Sequence, residues 1–251
     1  MNEPLETTTP IPNRAYPEFD KHRGALFSNF SDQFVATEGG LSFFRVVDAL
    51  LKRPGQIAHA IMHGDIARVS FALFAVIAFC MTAYGALMAT FSGGQQLWVV
   101  PLKVWLGYLF SALLCLPSLY IFVCLSGGRL SLAQIAALLL QSLALSALLL
   151  VGFAPVMWIF SQSTSAAGFM GFLHLLFWLV GISFALRLLG RAIGFINQGN
   201  LSILRVWGGI FILVVFQMCT FLRPLVGEFN GYQLEGKKFF CTHWFQTLDG
   251  K

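Results

Sequence analysis

The sequence has 251 residues, of which 57% are hydrophobic and only 11% are charged, and its formal net charge is +5. Soluble domains are about 25% charged and expose few large apolar patches, so this composition excludes a soluble enzyme and a nucleic-acid-binding domain. The chain is therefore predicted to be an integral membrane protein.

The charged residues are distributed unevenly along the chain. No Asp or Glu lies between Asp65 and Glu228, and isolated Lys and Arg residues divide this interval into four long uncharged runs: 69–102, 104–128, 130–186 and 206–222. A helix needs roughly 20 apolar residues to cross the hydrocarbon, so the third run is long enough for two spans. The sequence predicts an all-α, polytopic membrane fold with five transmembrane helices.

Four regions follow from this pattern. Residues 1–40 are predicted to form a flexible cytoplasmic tail with a short aromatic helix, because they are rich in Pro and polar residues. Residues 41–66 are predicted to form amphipathic helices at the membrane interface. The five-helix transmembrane domain covers 67–225, and 226–251 form an exported C-terminal tail.

The Lys and Arg residues also predict the orientation of the chain. Seven of them precede the first span, and cytoplasmic segments carry an excess of Lys and Arg. With an odd number of spans, the N-terminus is expected in the cytoplasm and the C-terminus on the exported side. We expect a multi-pass protein of the cell inner membrane.

An aromatic segment precedes the first amphipathic stretch. Leu26, Phe27, Phe30 and Phe34 recur at helical spacing and share one face. Residues 21–38 carry two basic and two acidic side chains, so an anionic membrane surface, worth about 1 kcal/mol per basic residue, offers them little. These four residues are predicted to dock on a protein partner, in the manner of a helix in a groove.

The stretch 41–63 combines an apolar stripe with flanking basic residues. Such a helix suits the headgroup boundary, where its apolar face is buried and its Lys and Arg stay in water. Packing on the protein's own cytoplasmic surface is the alternative. The predicted membrane-interface residues of the whole chain are Phe44, Arg45, Lys52, Arg53, Arg205 and Arg223.

Three histidines are the strongest candidates for ligand binding. His59 and His63 are spaced i, i+4 on one helical face, which could hold a metal ion, or they are two interfacial histidines. His174 lies alone in the fourth predicted span, as an interhelical hydrogen-bonding residue or as a haem or quinone contact. We predict no catalytic residue, no cofactor and no bound metal.

Two short motifs carry a resemblance to a known family. LLKRPGQI stands just before the first span, and FLRPLVG after the fifth span is followed by the pair Phe239 and Phe240. With five spans and an N-terminal cytoplasmic tail, residues 45–225 resemble the bacterial Yip1-like membrane proteins. The resemblance implies a non-enzymatic multispan scaffold and brings no catalytic residues.

The sequence predicts a non-enzymatic protein that acts as an accessory, anchoring or assembly subunit of a larger membrane complex. Its expected partners are the lipid bilayer and other subunits, not nucleic acid, and homo-oligomerisation is left open. A channel or carrier for a neutral or apolar solute is one alternative. The absence of a carboxylate, lysine or arginine at span depth argues against a proton-coupled or sodium-coupled carrier. A redox subunit that uses His174, or His59 with His63, is the other alternative.

Overall fold

The computed structural model describes residues 30–35, 42–92, 96–163, 167–197 and 201–221, and these residues form helices without any strand. The helices are α1 (Phe30–Gln33), α2 (Phe43–Lys52), α3 (Pro54–His63), α4 (Ile66–Ser92), α5 (Gln96–Leu125), α6 (Leu132–Ser163), α7 (Ala167–Asn197) and α8 (Leu201–Phe221). We call α1–α3 the N-terminal cap and α4–α8 the bundle. The predicted residues Leu26, Phe27 and Arg223 lie outside the described part of the chain.

Four helices of the bundle, α4–α7, are long and apolar enough to cross a membrane. This confirms a helical, multi-pass membrane protein. The sequence predicts the first four spans at about 69–90, 100–124, 132–160 and 169–189, and each of these helices contains one span and extends beyond it at one or both ends. The apolar part of α8, Leu204–Met218, is shorter than those of the other four helices.

Helices α4 and α6 form the middle of the bundle. Helix α6 packs between α4 and α7, while α4 also packs along α5, and α5 along α8. Residues 137–147 of α6 are buried except for Leu140, which is only partly so. Although α5 and α6 follow one another in the chain, they barely touch, because α4 lies between them.

Helices α4 and α5 approach each other closely at Gly85. A Cβ atom at this position would lie 2.6 Å from the Cα atom of Pro101, closer than two carbon atoms can pack. Small residues permit such close contacts between membrane helices, where van der Waals packing drives association.

A tight turn connects α5 to α6. Gly127 has a φ of +87°, a conformation that glycine adopts without strain, and its N–H donates to the carbonyl of Cys124. Ser131 then begins α6 with a reciprocal capping box: its N–H donates to Oε1 of Gln134 at 2.9 Å, and its Oγ accepts from the Gln134 N–H at 3.3 Å. Both ends of the turn are therefore fixed, with Arg129 between them.

The N-terminal cap packs against α4, α6 and α7, and its contacts reach the middle of α4, where the ring of Phe43 lies 5.6 Å from that of Phe79. Val46 and Leu50 of α2 are buried there, as is much of α3. Phe44 and Leu51 of α2 do not share this contact, because they are 81% and 56% exposed. Packing on the protein's own surface therefore accounts for only part of the apolar stripe.

Candidate functional site

An aromatic cluster joins the cap to the bundle. The ring of Phe34 lies 4.9 Å from that of His59 and 5.1 Å from that of Phe195, and Phe30 lies 5.6 Å from Phe195. The centroid distances are typical of favourable aromatic pairs. Two of the four residues of the predicted docking segment, Phe30 and Phe34, are thus partly buried against α3 and α7 of the same chain. Their role in binding a partner stays a prediction.

The two histidines of α3 form a stacked pair beside this cluster. Their ring centroids lie 4.5 Å apart with an interplanar angle of 27°, and Nδ1 of His63 lies 3.3 Å from the carbonyl oxygen of His59. Burial, and to a lesser degree the proximity of His63, lower the pKa of His59 below its usual value of 6.5. His59 is therefore biased toward its neutral form.

A metal ion lies in the plane of each imidazole that binds it, along the nitrogen lone pair. In stacked rings these lone pairs run side by side and do not converge on one point. Within the described ranges, no group of three or more His, Cys, Asp or Glu residues could hold a metal ion. The geometry at His59 and His63 thus fits ring stacking better than shared metal ligation.

His174 is buried between α4 and α7. Its Nδ1 lies 2.8 Å from the hydroxyl oxygen of Tyr84, and the two rings meet edge to face at 5.8 Å. This is the interhelical hydrogen bond that the sequence offered as one interpretation of His174. The sequence pattern did not identify Tyr84 as its partner, because the two residues are 90 positions apart.

Other buried polar groups also bond between helices. Trp207 of α8 donates through Nε1 to Ser118 Oγ of α5 at 3.0 Å, and the Tyr108 hydroxyl of α5 donates to the carbonyl of Leu143 of α6 at 3.2 Å. Lipid hydrocarbon offers no hydrogen-bond partners, so these polar groups must bond within the protein. The bonds therefore fix the positions of the helices relative to one another.

Gln141 connects the cap to the bundle, and sequence reasoning missed it. Its Nε2 donates to the carbonyl oxygen of Pro54, in the first turn of α3, at 2.7 Å, and the side chain is buried. Its position among leucines in an uncharged run was the available signal, because an amide in such a run needs a partner inside the protein. The sequence does not show that this partner is the backbone of α3.

The predicted membrane-interface residues lie at the surface wherever the structure describes them. Phe44, Arg45, Lys52 and Arg53 are exposed on α2 and at the junction with α3, and Arg205 is exposed on α8. Lys52 forms an exposed i, i+4 ion pair with Asp48, a type of pair that contributes little to stability.

Comparison with family models, with curated proteins and with solved structures finds no match to this chain.

Proposed function

We propose that this chain is a non-enzymatic accessory, anchoring or assembly subunit of a larger complex in the cell inner membrane. One observation carries the proposal. Most buried polar side chains of the described bundle make hydrogen bonds within the protein, either between helices or to their own helix, as in the pair Tyr84 and His174. A side chain engaged in packing is a poor candidate for catalysis or for relaying ions.

The proposal includes five spans. Helix α8 has 21 residues, which gives a length of about 30 Å at 1.5 Å per residue and matches the hydrocarbon thickness. With the excess of Lys and Arg before α4, five spans put the N-terminus in the cytoplasm and the C-terminus outside. The resemblance to the bacterial Yip1-like proteins rests in part on this same arrangement. Reporter fusions at Thr7 and Lys251 test it, and finding both ends on one side would refute it.

The docking segment of this subunit is proposed to be Leu26–Phe34. The contacts of Phe30 and Phe34 with Phe195 fix where this segment leaves the bundle. A partner would then bind beside the cap and not at the lipid-facing sides of α4–α8.

Purification of the full chain in mild detergent, followed by mass spectrometry of the co-purifying proteins, tests the proposal. The double variant Phe30→Ala with Phe34→Ala is expected to lose at least one specific partner while α4–α8 stay inserted. The matched control is Phe71→Ala with Phe172→Ala, which removes two rings that are 75% and 51% exposed on the bundle. An identical set of proteins with all three chains would refute docking through this segment.

An optical spectrum of the same preparation addresses the redox alternative. A subunit without a cofactor gives no haem absorption band. A Soret band that disappears in His174→Leu would replace the proposal with the redox interpretation.

A further inference from the structure

A long apolar groove runs along the outer surface of the bundle between α5 and α6. Its volume is about 380 Å³. The floor and walls come from three helices: Phe74 of α4, residues of α5 between Leu106 and Leu116, and residues of α6 between Ala136 and Leu143. The groove exists because α4 separates α5 from α6 and leaves a gap between these two helices.

The lining of this groove consists entirely of nonpolar side chains. Every lining residue is Phe, Leu or Ala. Two of them, Phe110 and Leu113, are 50% and 61% exposed, so the groove opens outward. Because α4–α6 are long and apolar enough to span the membrane, this opening faces the lipid chains of the bilayer.

We propose that this groove is a binding site for one anionic phospholipid. One of its two acyl chains lies between α5 and α6, and its headgroup pairs with Arg129. The length of the groove agrees with this occupant. From Leu106 to Leu116 the groove extends about 15 Å along α5. The hydrocarbon core is roughly 30 Å thick, so this length matches the depth of one leaflet.

The position of the groove along the helices agrees as well. Its end at Ala136 lies about 6 Å from the first residue of α6, and its end at Leu116 lies about 14 Å from the last residue of α5. Helices of this length exceed the hydrocarbon thickness, so these distances place one end of the groove close to the headgroup level.

Arg129 supplies the charge at that end. It is exposed in the turn that joins the two helices of the groove, and no Asp or Glu occurs in the sequence between Asp65 and Glu228. The glycine turn at Gly127 and the capping box at Ser131 hold the backbone of Arg129 in place. A guanidinium group binds phosphate oxygens strongly because its N–H groups match their geometry.

Native mass spectrometry of the delipidated full chain, with phosphatidylglycerol or phosphatidylcholine added back, tests the site. One phosphatidylglycerol is expected to bind more tightly than the lipids that follow it. Ala136→Phe fills the groove and is expected to weaken this first binding event at least tenfold. The control Ala133→Phe adds the same ring to an exposed position of the same helix, outside the groove, and is expected to leave binding unchanged.

The charge contribution is tested separately. Arg129→Gln is expected to reduce the preference for phosphatidylglycerol over phosphatidylcholine about fivefold, which corresponds to about 1 kcal/mol, and to leave phosphatidylcholine binding intact. Arg53→Gln, which removes an exposed charge from the cap, serves as the control. Equal losses in both variants would show a general surface attraction and would overturn the role of Arg129.

Trp105 reports on the far end of the groove. Its ring lies 5.8 Å from that of the lining residue Phe74. Phosphatidylglycerol brominated on its acyl chain is added at one lipid per protein in detergent, and quenching of Trp105 fluorescence is measured. Bromine near the end of the acyl chain is expected to quench Trp105 more than bromine near the headgroup. The variant Trp105→Phe identifies the part of the fluorescence that comes from this residue. If the protein is a dimer and Ala136→Phe dissociates it, the groove binds a second copy of the chain and not a lipid. Unchanged lipid binding in Ala136→Phe would refute the lipid site.

Discussion

The centre of the bundle and the N-terminal cap are held by different kinds of contact. Helix α6 is buried along much of its length and bonds to its neighbours through polar groups inside the bundle. The cap packs against the bundle through two buried residues of α2, the inner face of α3 and rings such as Phe34 and His59. Its outer face stays exposed.

This contrast shows where a single contact matters. In hydrocarbon the backbone of every spanning helix must form its hydrogen bonds within that helix, so an apolar composition is enough to keep each helix folded. Close packing between the helices then determines how they are arranged. The cap depends on fewer buried contacts than the bundle does. Among them, the bond from Gln141 to Pro54 joins the interior of α6 to α3.

The largest effect is expected from breaking the close packing of the bundle at Gly85. Gly85→Ala puts a Cβ atom 2.6 Å from Pro101 Cα, so α4 and α5 must separate, and overpacking of this kind typically costs about 1–3 kcal/mol. Gly152→Ala is the control, because nothing lies within 4 Å of its Cβ position. Unfolding in mixed micelles measures both, and equal stabilities would contradict the close contact between α4 and α5.

The link between the two regions is tested by Gln141→Leu. The variant removes the hydrogen bond to Pro54 and is expected to loosen α3 by about 0.5–1.5 kcal/mol, the usual net value of such a bond. The bundle itself is expected to keep its stability, because Oε1 of Gln141 is buried without a partner among the described residues and leucine removes that group.

Hydrogen exchange separates the two effects. Amides of α3 are expected to exchange faster in Gln141→Leu, while those in the middle of α4 and α6 stay protected. Uniformly faster exchange in both regions would show that cap and bundle open as one unit, and the contrast between them would be lost.

A smaller effect is expected from the polar pair inside the bundle. In a double-mutant cycle of Tyr84→Phe and His174→Leu, the coupling energy is expected to be about 0.6 kcal/mol and at most about 1.7 kcal/mol, the range for membrane hydrogen bonds. Tyr84→Phe combined with Trp207→Phe is the control cycle, because Trp207 bonds to α5 instead. Coupling in the control as large as in the test pair would contradict a direct bond.

The sequence predicts the four long helices α4–α7 but not the partners of their buried polar side chains, for physical reasons. Each span requires about 20 apolar residues, so α4–α7 can be recognised from the hydrophobic composition of the sequence alone. The partners of His174 and Gln141 depend on which helix faces which, and the order in which α6 lies between α4 and α7 is not encoded in any local pattern. Helical spacing identified Phe30 and Phe34 as one face, but it could not show that Phe195 and His59 lie opposite them.

The smallest effect concerns the docking of α1 on the cap histidines. Because the pKa of His59 is lowered below 6.5 in the folded protein, the docked state binds protons less readily than a state in which Phe34 has moved away. Well above pH 6.5 both states hold a mostly neutral His59, and docking changes little with pH. As the pH falls from 6.5 through the lowered pKa, the undocked state is protonated first and α1 is expected to loosen.

Hydrogen exchange or limited proteolysis around Phe30–Gln33, measured between pH 7.5 and about pH 5 and corrected for intrinsic rates, follows this loosening. His59→Gln keeps a polar group but cannot be protonated, so the acid-induced change is expected to disappear in this variant. Because His63 lies one helical turn away and stacks on His59, His63→Gln is the matched control and is expected to retain most of the change. If His59→Gln loosens with acid as the unsubstituted chain does, His59 is not the group that couples pH to the docking of α1.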